Sequence, residues 1–452
     1  MIILTWAEHD ERNIIRNLGH SEYSYYFVQK AFNRVLAQLV TVVTLDRSPK
    51  NSDFSGNEFV EFSPTEQADA IHRICQCEDE PCVLLSFTPP HRVLETRFCP
   101  TVPVFAWEFH DIPNEAWDGV ARNNWVEALA GYKLALTHSK FAVQTTRKAL
   151  GEAYPIESIP APIWSQYGAV RDARGLLPPA GELRLRFRGT VFDSRNDETN
   201  IDDGGAFRSQ AQSDIDLDDF SDAADRAEPC PVQVALGGVL YTAVLNPADG
   251  RKNWQDMLRG FCVALRECED ATLVIKTTHA TWEESQTRVL KLLQQLQPMR
   301  CRVVILDGFL EDDEYAKLAG HTHFAVNTSV GEGQCLPLME YLSCGVPAIA
   351  PFHTAMSDYL DHDNAFEIES SVEPASWPHD SRKRYTTLRH RLNVESLMNA
   401  FEESYRVSRD PVRYAQMSAA AVQSSRRHNS DEAVLKTLRR VLQQFEFERM
   451  ES

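Results

Sequence analysis

The chain has 452 residues, enough for two or three domains that each bury a core, and at 43% hydrophobic and 25% charged residues it is neither fibrous nor wholly disordered. A formal charge of -19 disfavours nonspecific attraction to nucleic acid or anionic lipid, so an anionic ligand has to be met by a local basic site. The ten cysteines, at 75, 77, 82, 99, 230, 262, 268, 301, 335 and 344, include no CxxC pair and no Cys/His cluster at zinc spacing, and they read as reduced, mostly buried thiols.

The opening run Met1-Ile2-Ile3-Leu4-Thr5-Trp6 predicts a β-strand, being too short for a signal peptide and lacking a basic lead. No run of 18 apolar residues follows, which argues against a transmembrane helix and for a cytoplasmic protein, compatible with peripheral contact at the inner membrane. Short apolar runs at 39–45, 82–87, 102–107 and 134–137 alternate with amphipathic stretches, the pattern of βα units around a parallel sheet. Helical periodicity is clear over 25–39 and again over 140–150, where Ser139 is the predicted cap.

From 171 to 231 the texture turns acidic and poor in apolar residues, with Asp-Ile-Asp-Leu-Asp-Asp at 214–219. Such a segment buries too little surface to offset chain entropy and is predicted to be a largely flexible linker, with one alternating stretch, Leu183 to Val191, reading as a local strand. The α/β rhythm returns at Val239, with strands near 239–245, 273–276, 303–306, 324–327 and 348–350. The resulting division is 1–170, a linker over 171–231, a second unit over 232–425, and a last helix from 426 crossing back to the first unit. Arg439 and Arg440 on that helix read as a solvated face.

The segment richest in chemistry is Asn327-Thr-Ser-Val-Gly-Glu-Gly-Gln-Cys-Leu-Pro-Leu-Met-Glu340. It leaves the carboxyl end of a strand, turns through Gly331 and Gly333, and enters a helix near Leu336-Pro337, where proline suits the first turn. Helix amino termini beyond the carboxyl ends of parallel strands attract phosphate, which makes this turn a candidate diphosphate cradle. The string Glu332-x7-Glu340, with Ser329 before it and Cys344-Gly345-Val346-Pro347 after it, resembles the donor motif of retaining GT-B glycosyltransferases of the family-4-like, Glu-x7-Glu group.

That resemblance implies an α/β GT-B fold, two Rossmann-like doubly wound domains facing a cleft, and transfer of a hexose from a nucleotide-diphosphate sugar to a glycan, lipid-linked or other hydroxyl acceptor. It implies no metal and no cofactor beyond the sugar nucleotide. Ser329, Gly331, Gly333, Gln334, Cys335, Leu336, Glu340 and Lys276 would line the donor, with Glu332 on sugar hydroxyls and Glu340 on the ribose. After the first strand of the second unit, Arg251 and Lys252 would neutralise the diphosphate, although relatives often carry an Arg immediately after the strand where this chain has Val244 or Leu245. In the first unit, Val104 to Pro113 resembles the strand end that faces the donor sugar, placing His110 beside the transferred group with Glu108 and Asp111 as lesser candidates. Gly19 and His20, with Ser21 and Glu22, stand where relatives carry an acceptor loop, and Asp111 is a further acceptor candidate.

Each residue has a plainer reading too. Glu332 caps a helix, Glu340 lies on a solvated face, Arg251 and Lys252 sit in a solvated turn, His110 is a packed core histidine, and Lys276 is a strand-end surface lysine. Base recognition is expected near Gly308 to Asp313. Two other functions fit the same motifs: a GT-B sugar-nucleotide epimerase, and a catalytically silent GT-B protein that binds a nucleotide sugar or glycan. The donor reading expects the 327–336 turn to open onto an interdomain crevice, and it expects Glu332→Ala to reduce transfer far more than stability.

Overall fold

The computed structural model describes residues 1–11, 13–14, 22–46, 62–196, 231–277, 282–378 and 380–447. Gly19, His20 and Ser21, and most of the predicted acidic linker, lie outside the described residues. Among the described residues the first unit is a sheet of six parallel strands: β1 (Ile2–Ala7), β2 (Thr41–Thr44), β3 (Cys82–Phe87), β4 (Thr101–Phe105), β5 (Ala135–Thr137) and β6 (Ile156–Ser158), in the order β2-β1-β3-β4-β5-β6. Every residue of β3 is buried, as expected of a parallel strand covered on both faces.

The helices that cover it are α1 (Ser24–Leu36), α2 (Pro64–Cys77), α3 (Trp125–Ala130) and α4 (Lys140–Leu150). In α1, Tyr25, Val28, Ala31, Phe32, Val35 and Leu36 recur at helical spacing and are the buried face. A capping box starts α2: the Ser63 side chain accepts from the Glu66 amide and Glu66 accepts from the Ser63 amide, with Pro64 at the first turn. Ser139 caps α4, its hydroxyl accepting from the Ala142 amide at 3.1 Å.

After a short helix α5 (Gly168–Arg174) the chain enters the second sheet directly. Strand β7 (Leu183–Asp193) pairs antiparallel with β11 (Arg302–Phe309) and with β8 (Pro231–Leu236), forming one edge of an eight-stranded sheet among the described residues. This corrects the expected linker at its start. Leu183, Leu185 and Phe187 alternate inward beside Val304 and Leu306, so residues 183–193 belong to the second unit.

The other strands are β9 (Val239–Leu245), β10 (Ala271–Thr277), β12 (Phe324–Val326), β13 (Ala348–Ala350) and β14 (Ala365–Glu367), all parallel to β11, in the order β14-β13-β12-β9-β10-β11-β7-β8. They are joined by α6 (Trp254–Ala264), α7 (Trp282–Leu296), α8 (Asp312–His321) and α9 (Leu336–Ser343). An antiparallel hairpin, β15 (Ser370–Ala375) with β16 (Thr387–Leu392), then precedes α10 (Val394–Val407), α11 (Pro411–Asn429) and α12 (Asp431–Phe447).

Besides the crossover near Ile159 to Ile163, two late segments help join the units. Val434, Leu438, Val441 and Leu442 of α12 share an apolar cluster with Ala31 and Val35 of α1, while Asp431 pairs with Arg34 at 2.5 Å and Arg440 with Glu157 at 2.9 Å. Arg440 is therefore partly engaged by the first unit rather than lying on a wholly solvated face. The hairpin contributes Ala375 and Trp377 to an aromatic cluster of the first unit that contains Trp107, Trp117 and Trp125.

Candidate active site

The carboxyl end of β9 runs into a turn over 246–253, and the carboxyl end of β12 into the turn over 327–335. Backbone bonds zip the two together: the Val330 amide donates to the Arg251 carbonyl at 2.8 Å, and the Thr328 hydroxyl donates to the Lys252 carbonyl at 3.0 Å. Asp249 starts a single helical turn by accepting from the Arg251 amide, and Asn253 ends it in the left-handed region at φ 47°. That sharp reversal sets Lys252 against the 327–335 turn and Arg251 against Glu108 of the first unit.

Lys252 donates to Glu332 at 2.6 Å, and the same carboxylate accepts from the Ser329 hydroxyl at 2.5 Å and from Asn327 at 3.2 Å. Burial alone would raise the Glu332 pKa, but the Lys252 and Arg251 charges outweigh it and hold the carboxylate below its usual range. Arg251 lies between two acids, Asp249 at 2.8 Å and Glu108 of the first unit. Both cations stay protonated although burial opposes it, because Glu108 stands against Arg251 and Glu332 against Lys252. Glu108 is raised by burial despite its arginine partner.

Helix α9 begins beyond this cluster with Pro337 in its first turn and Cys335 as its cap. Cys335 holds φ 64°, a conformation that non-glycine residues adopt at a cost, and its thiol accepts from Asn327 at 3.1 Å. Gln334 accepts from the Ala161 amide at 3.1 Å, which ties the turn to the crossover from the first unit. Glu340 is not on a solvated face: it accepts from the Tyr315 hydroxyl at 2.6 Å, and burial raises its pKa against the hydrogen bonds of Tyr315 and Tyr167. Lys276 is not a surface lysine either. It is 2% exposed, donates to the carbonyls of Thr277 (2.6 Å) and Gly308, and is pushed down to about 8 by desolvation.

The turn is covered, contrary to the expectation that it opens onto a crevice. Ser329, Glu332 and Gln334 are buried. A Cβ placed on Gly331 would lie 2.9 Å from the Glu108 carbonyl oxygen, and one on Gly333 would lie 2.7 Å from the Ala106 Cβ. The atoms nearest those two Cβ positions come from the first unit, not from the second unit's own core, so separating the units uncovers them. The two glycines allow this close approach of backbone to backbone.

His110 sits on the same seam. Its Nε2 lies 3.3 Å from Nε2 of His390 on β16, and the His390 ring stacks on that of His353 with centroids 3.9 Å apart. Burial lowers all three, His353 to about 3 and His390 to about 4. Asp111 is placed differently: its carboxylate pairs with exposed Lys148, while its backbone accepts from Trp377 at 3.0 Å and donates to Thr387 at 3.2 Å.

The structure therefore gathers Glu332, Ser329, Lys252, Arg251 and Glu108 at one point, with the His110 cluster beside it, and gives Glu340 and Lys276 separate partners. Asp249, Asn327, Tyr315, His353 and His390 join these groups without having been read from the sequence. Asp249 carried a signal as the cap of an Ala-Asp-Gly turn; the two histidines had none, because only the tertiary fold brings them to His110.

No protein-family model and no curated protein matches the chain. Solved structures do. A sucrose-phosphate synthase from Thermosynechococcus elongatus is 12% identical over 98% of this chain and 98% of that one, at a TM-score of 0.53. HepE from Anabaena, solved in complex with UDP-glucose, is 12% identical over 98% of this chain and 100% of its own, at 0.50. Against TarM, at a TM-score of 0.47, the chain spans 54% of that protein's length and is 10% identical over 80% of its own. The first two likenesses, with one parallel and one mainly parallel sheet, establish the fold as GT-B.

Proposed function

We propose that this chain is a retaining, metal-independent glycosyltransferase that moves a hexose from a nucleotide-diphosphate sugar to a hydroxyl of a glycan or lipid-linked acceptor. The observation that carries the reading is the Arg251–Lys252–Glu332 cluster, set at the carboxyl ends of β9 and β12 and facing the amino terminus of α9. A GT-B fold shared with a sucrose-phosphate synthase and with HepE, which binds UDP-glucose, supports the donor class.

Arg251 and Lys252 supply fixed positive charge where a departing nucleoside diphosphate gains negative charge, and the helix terminus adds the positive end of its dipole. Without donor these cations are balanced by Asp249, Glu108 and Glu332. Donor binding then exchanges carboxylates for phosphates on the same cations, which releases Glu332 to accept from sugar hydroxyls. The acceptor hydroxyl attacks from the face the diphosphate leaves, forming the new anomeric C–O bond as the one to the diphosphate breaks and passing its proton to the departing phosphate oxygen, with His110 orienting the sugar. Because the first unit covers the turn, the units must part to admit the donor and close again to exclude water.

A thermal-shift series with UDP, GDP, ADP and dTDP sugars tests the reading. One nucleotide class at about 100 times its Kd should stabilise the fold by about 2.7 kcal/mol, and a panel of glycan acceptors with that donor should yield product of retained configuration. Donor isomerised without acceptor would instead mark an epimerase. Binding without turnover would mark a silent binder, and no shift with any sugar nucleotide would remove the proposal altogether.

A further inference from the structure

Outside the seam, the first unit holds a second buried cluster. His72, Cys82 and Cys99 bring one ligand atom each within 4.8 Å of one another, and the three residues are 8%, 4% and 4% exposed. Cys75, one helical turn after His72 on α2, meets Cys82 through its thiol and is 2% exposed. We propose that His72, Cys75, Cys82 and Cys99 form a structural site for one zinc ion that pins α2 to the ends of β3 and β4.

The donor set suits that ion. Three sulfurs and one imidazole nitrogen form a soft tetrahedral set, in which sulfurs about 2.3 Å from the metal stand about 3.8 Å apart. The ligand atoms of His72, Cys82 and Cys99 already lie within 4.8 Å of one another, and Cys75, whose thiol meets that of Cys82, completes the set by a side-chain rotation. His72 supplies the second, independent sign: its Nδ1 is buried with no hydrogen-bond partner, a cost that a metal bond at that atom removes. The frame is rigid as well. Asp69, on the same face of α2, accepts from the amides of Arg97 (3.0 Å), Phe98 (3.0 Å) and Cys99 (3.2 Å), so the loop carrying Cys99 is already clamped onto the helix carrying His72 and Cys75.

The ligands run His-x2-Cys-x6-Cys-x16-Cys along the chain. That series lacks the paired spacing by which zinc sites are read from sequence, because Cys82 at the start of β3 and Cys99 in the loop before β4 are brought together only by sheet formation. Binding releases the thiol protons to solvent and forms three thiolate–zinc bonds and one imidazole–zinc bond, with no change of oxidation state.

The test is metal analysis of the full chain purified without chelator. About one zinc per chain is expected, retained in Cys262→Ser and lost in Cys82→Ser and in Cys99→Ser. Removing the ion with a chelator should lower the melting temperature by about 10 °C or more, restored by adding zinc back. Should those variants fail to fold, cobalt titration of the metal-stripped wild type decides, since a tetrahedral thiolate site gives intense visible d–d bands. Fewer than about 0.1 zinc per chain together with a cobalt spectrum lacking those bands would overturn the proposal. So would a chain two hydrogens light with Cys82 linked to Cys99, or zinc retained in both serine variants.

Discussion

Glu332 shows how burial changes what a substitution reports. From sequence alone, Glu332→Ala is a probe of transfer that leaves the fold alone. In the structure Glu332 is 4% exposed and its carboxylate is the hydrogen-bonded counterion of Lys252, so its removal strands a half-buried ammonium. We expect Glu332→Ala to cost about 3–5 kcal/mol in urea unfolding, and Glu332→Gln, which keeps acceptors for Ser329 and Asn327, to cost less. If transfer is the role, Glu332→Gln still loses most of its activity at temperatures where it is folded; full activity in a folded Glu332→Gln would refute that role. Lys276 makes a second residue-scale prediction. Its amine titrates near 8 when folded and near 10.4 when unfolded, so the unfolded chain binds more protons between those values and stability rises with pH across them. Relative to Lys276→Met, the wild type should gain up to about 1.4 kcal/mol per pH unit from pH 8 to 10, and a constant difference would place the amine in water instead.

Between elements, the closest approaches fall at glycines and at one hairpin. Gly189 of β7 and Gly308 of β11 face each other, and a Cβ on Gly308 would meet the Arg188 carbonyl oxygen at 2.4 Å. Gly308→Ala should therefore push β7, and β8 with it, away from β11 and disturb the carbonyl that holds Lys276, seen as loss of amide-exchange protection over 183–193. Unchanged protection there would show that the edge yields without cost. The hairpin β15–β16 reaches across the seam: Trp377 is 1% exposed, stacks with Trp117 at 5.8 Å, and donates to the Asp111 carbonyl. Trp377→Ala should destabilise the chain by about 3–5 kcal/mol through cavity and hydrogen bond together. Strand β7 was legible as an alternating run, but its place in the second sheet was not, since the surrounding composition was acidic and periodicity carries no pairing partner.

At the scale of the molecule the two sheets are held by unlike contacts. Apolar packing runs through the crossover near Ile159 to Ile163 and through α12, whereas the candidate site is closed by the Arg251–Glu108 ion pair and by His110 set at a tilt against the stacked pair of His390 and His353. Protonating those rings puts like charges face to face next to Lys148. Their folded pKa values lie below that of a free histidine, so the unfolded chain takes up more protons as pH falls from about 6.5 toward 4, and stability falls by up to about 1.4 kcal/mol per pH unit for each proton. Glu332 and Asp249, held below the ordinary carboxylate range, lose their contribution only at still lower pH. Unfolding followed between pH 7 and 4 should show this slope, and His353→Leu should flatten it; an unaltered slope would assign it to other groups. Among the described residues no helix is long and apolar enough to cross a membrane.

The sequence by itself determined the α/β alternation, the strand–turn–helix at 324–343 and the polar residues on it, because hydrophobic period, glycine and proline placement and capping are local properties of a chain. Only the tertiary structure decided that Glu108 of one unit meets Arg251 of the other, that three histidines more than 200 residues apart at the extremes share a cluster, and that His72, Cys82 and Cys99 converge. Those contacts depend on which strands pair and how the two sheets pack, and neither leaves a fixed spacing in the amino-acid order.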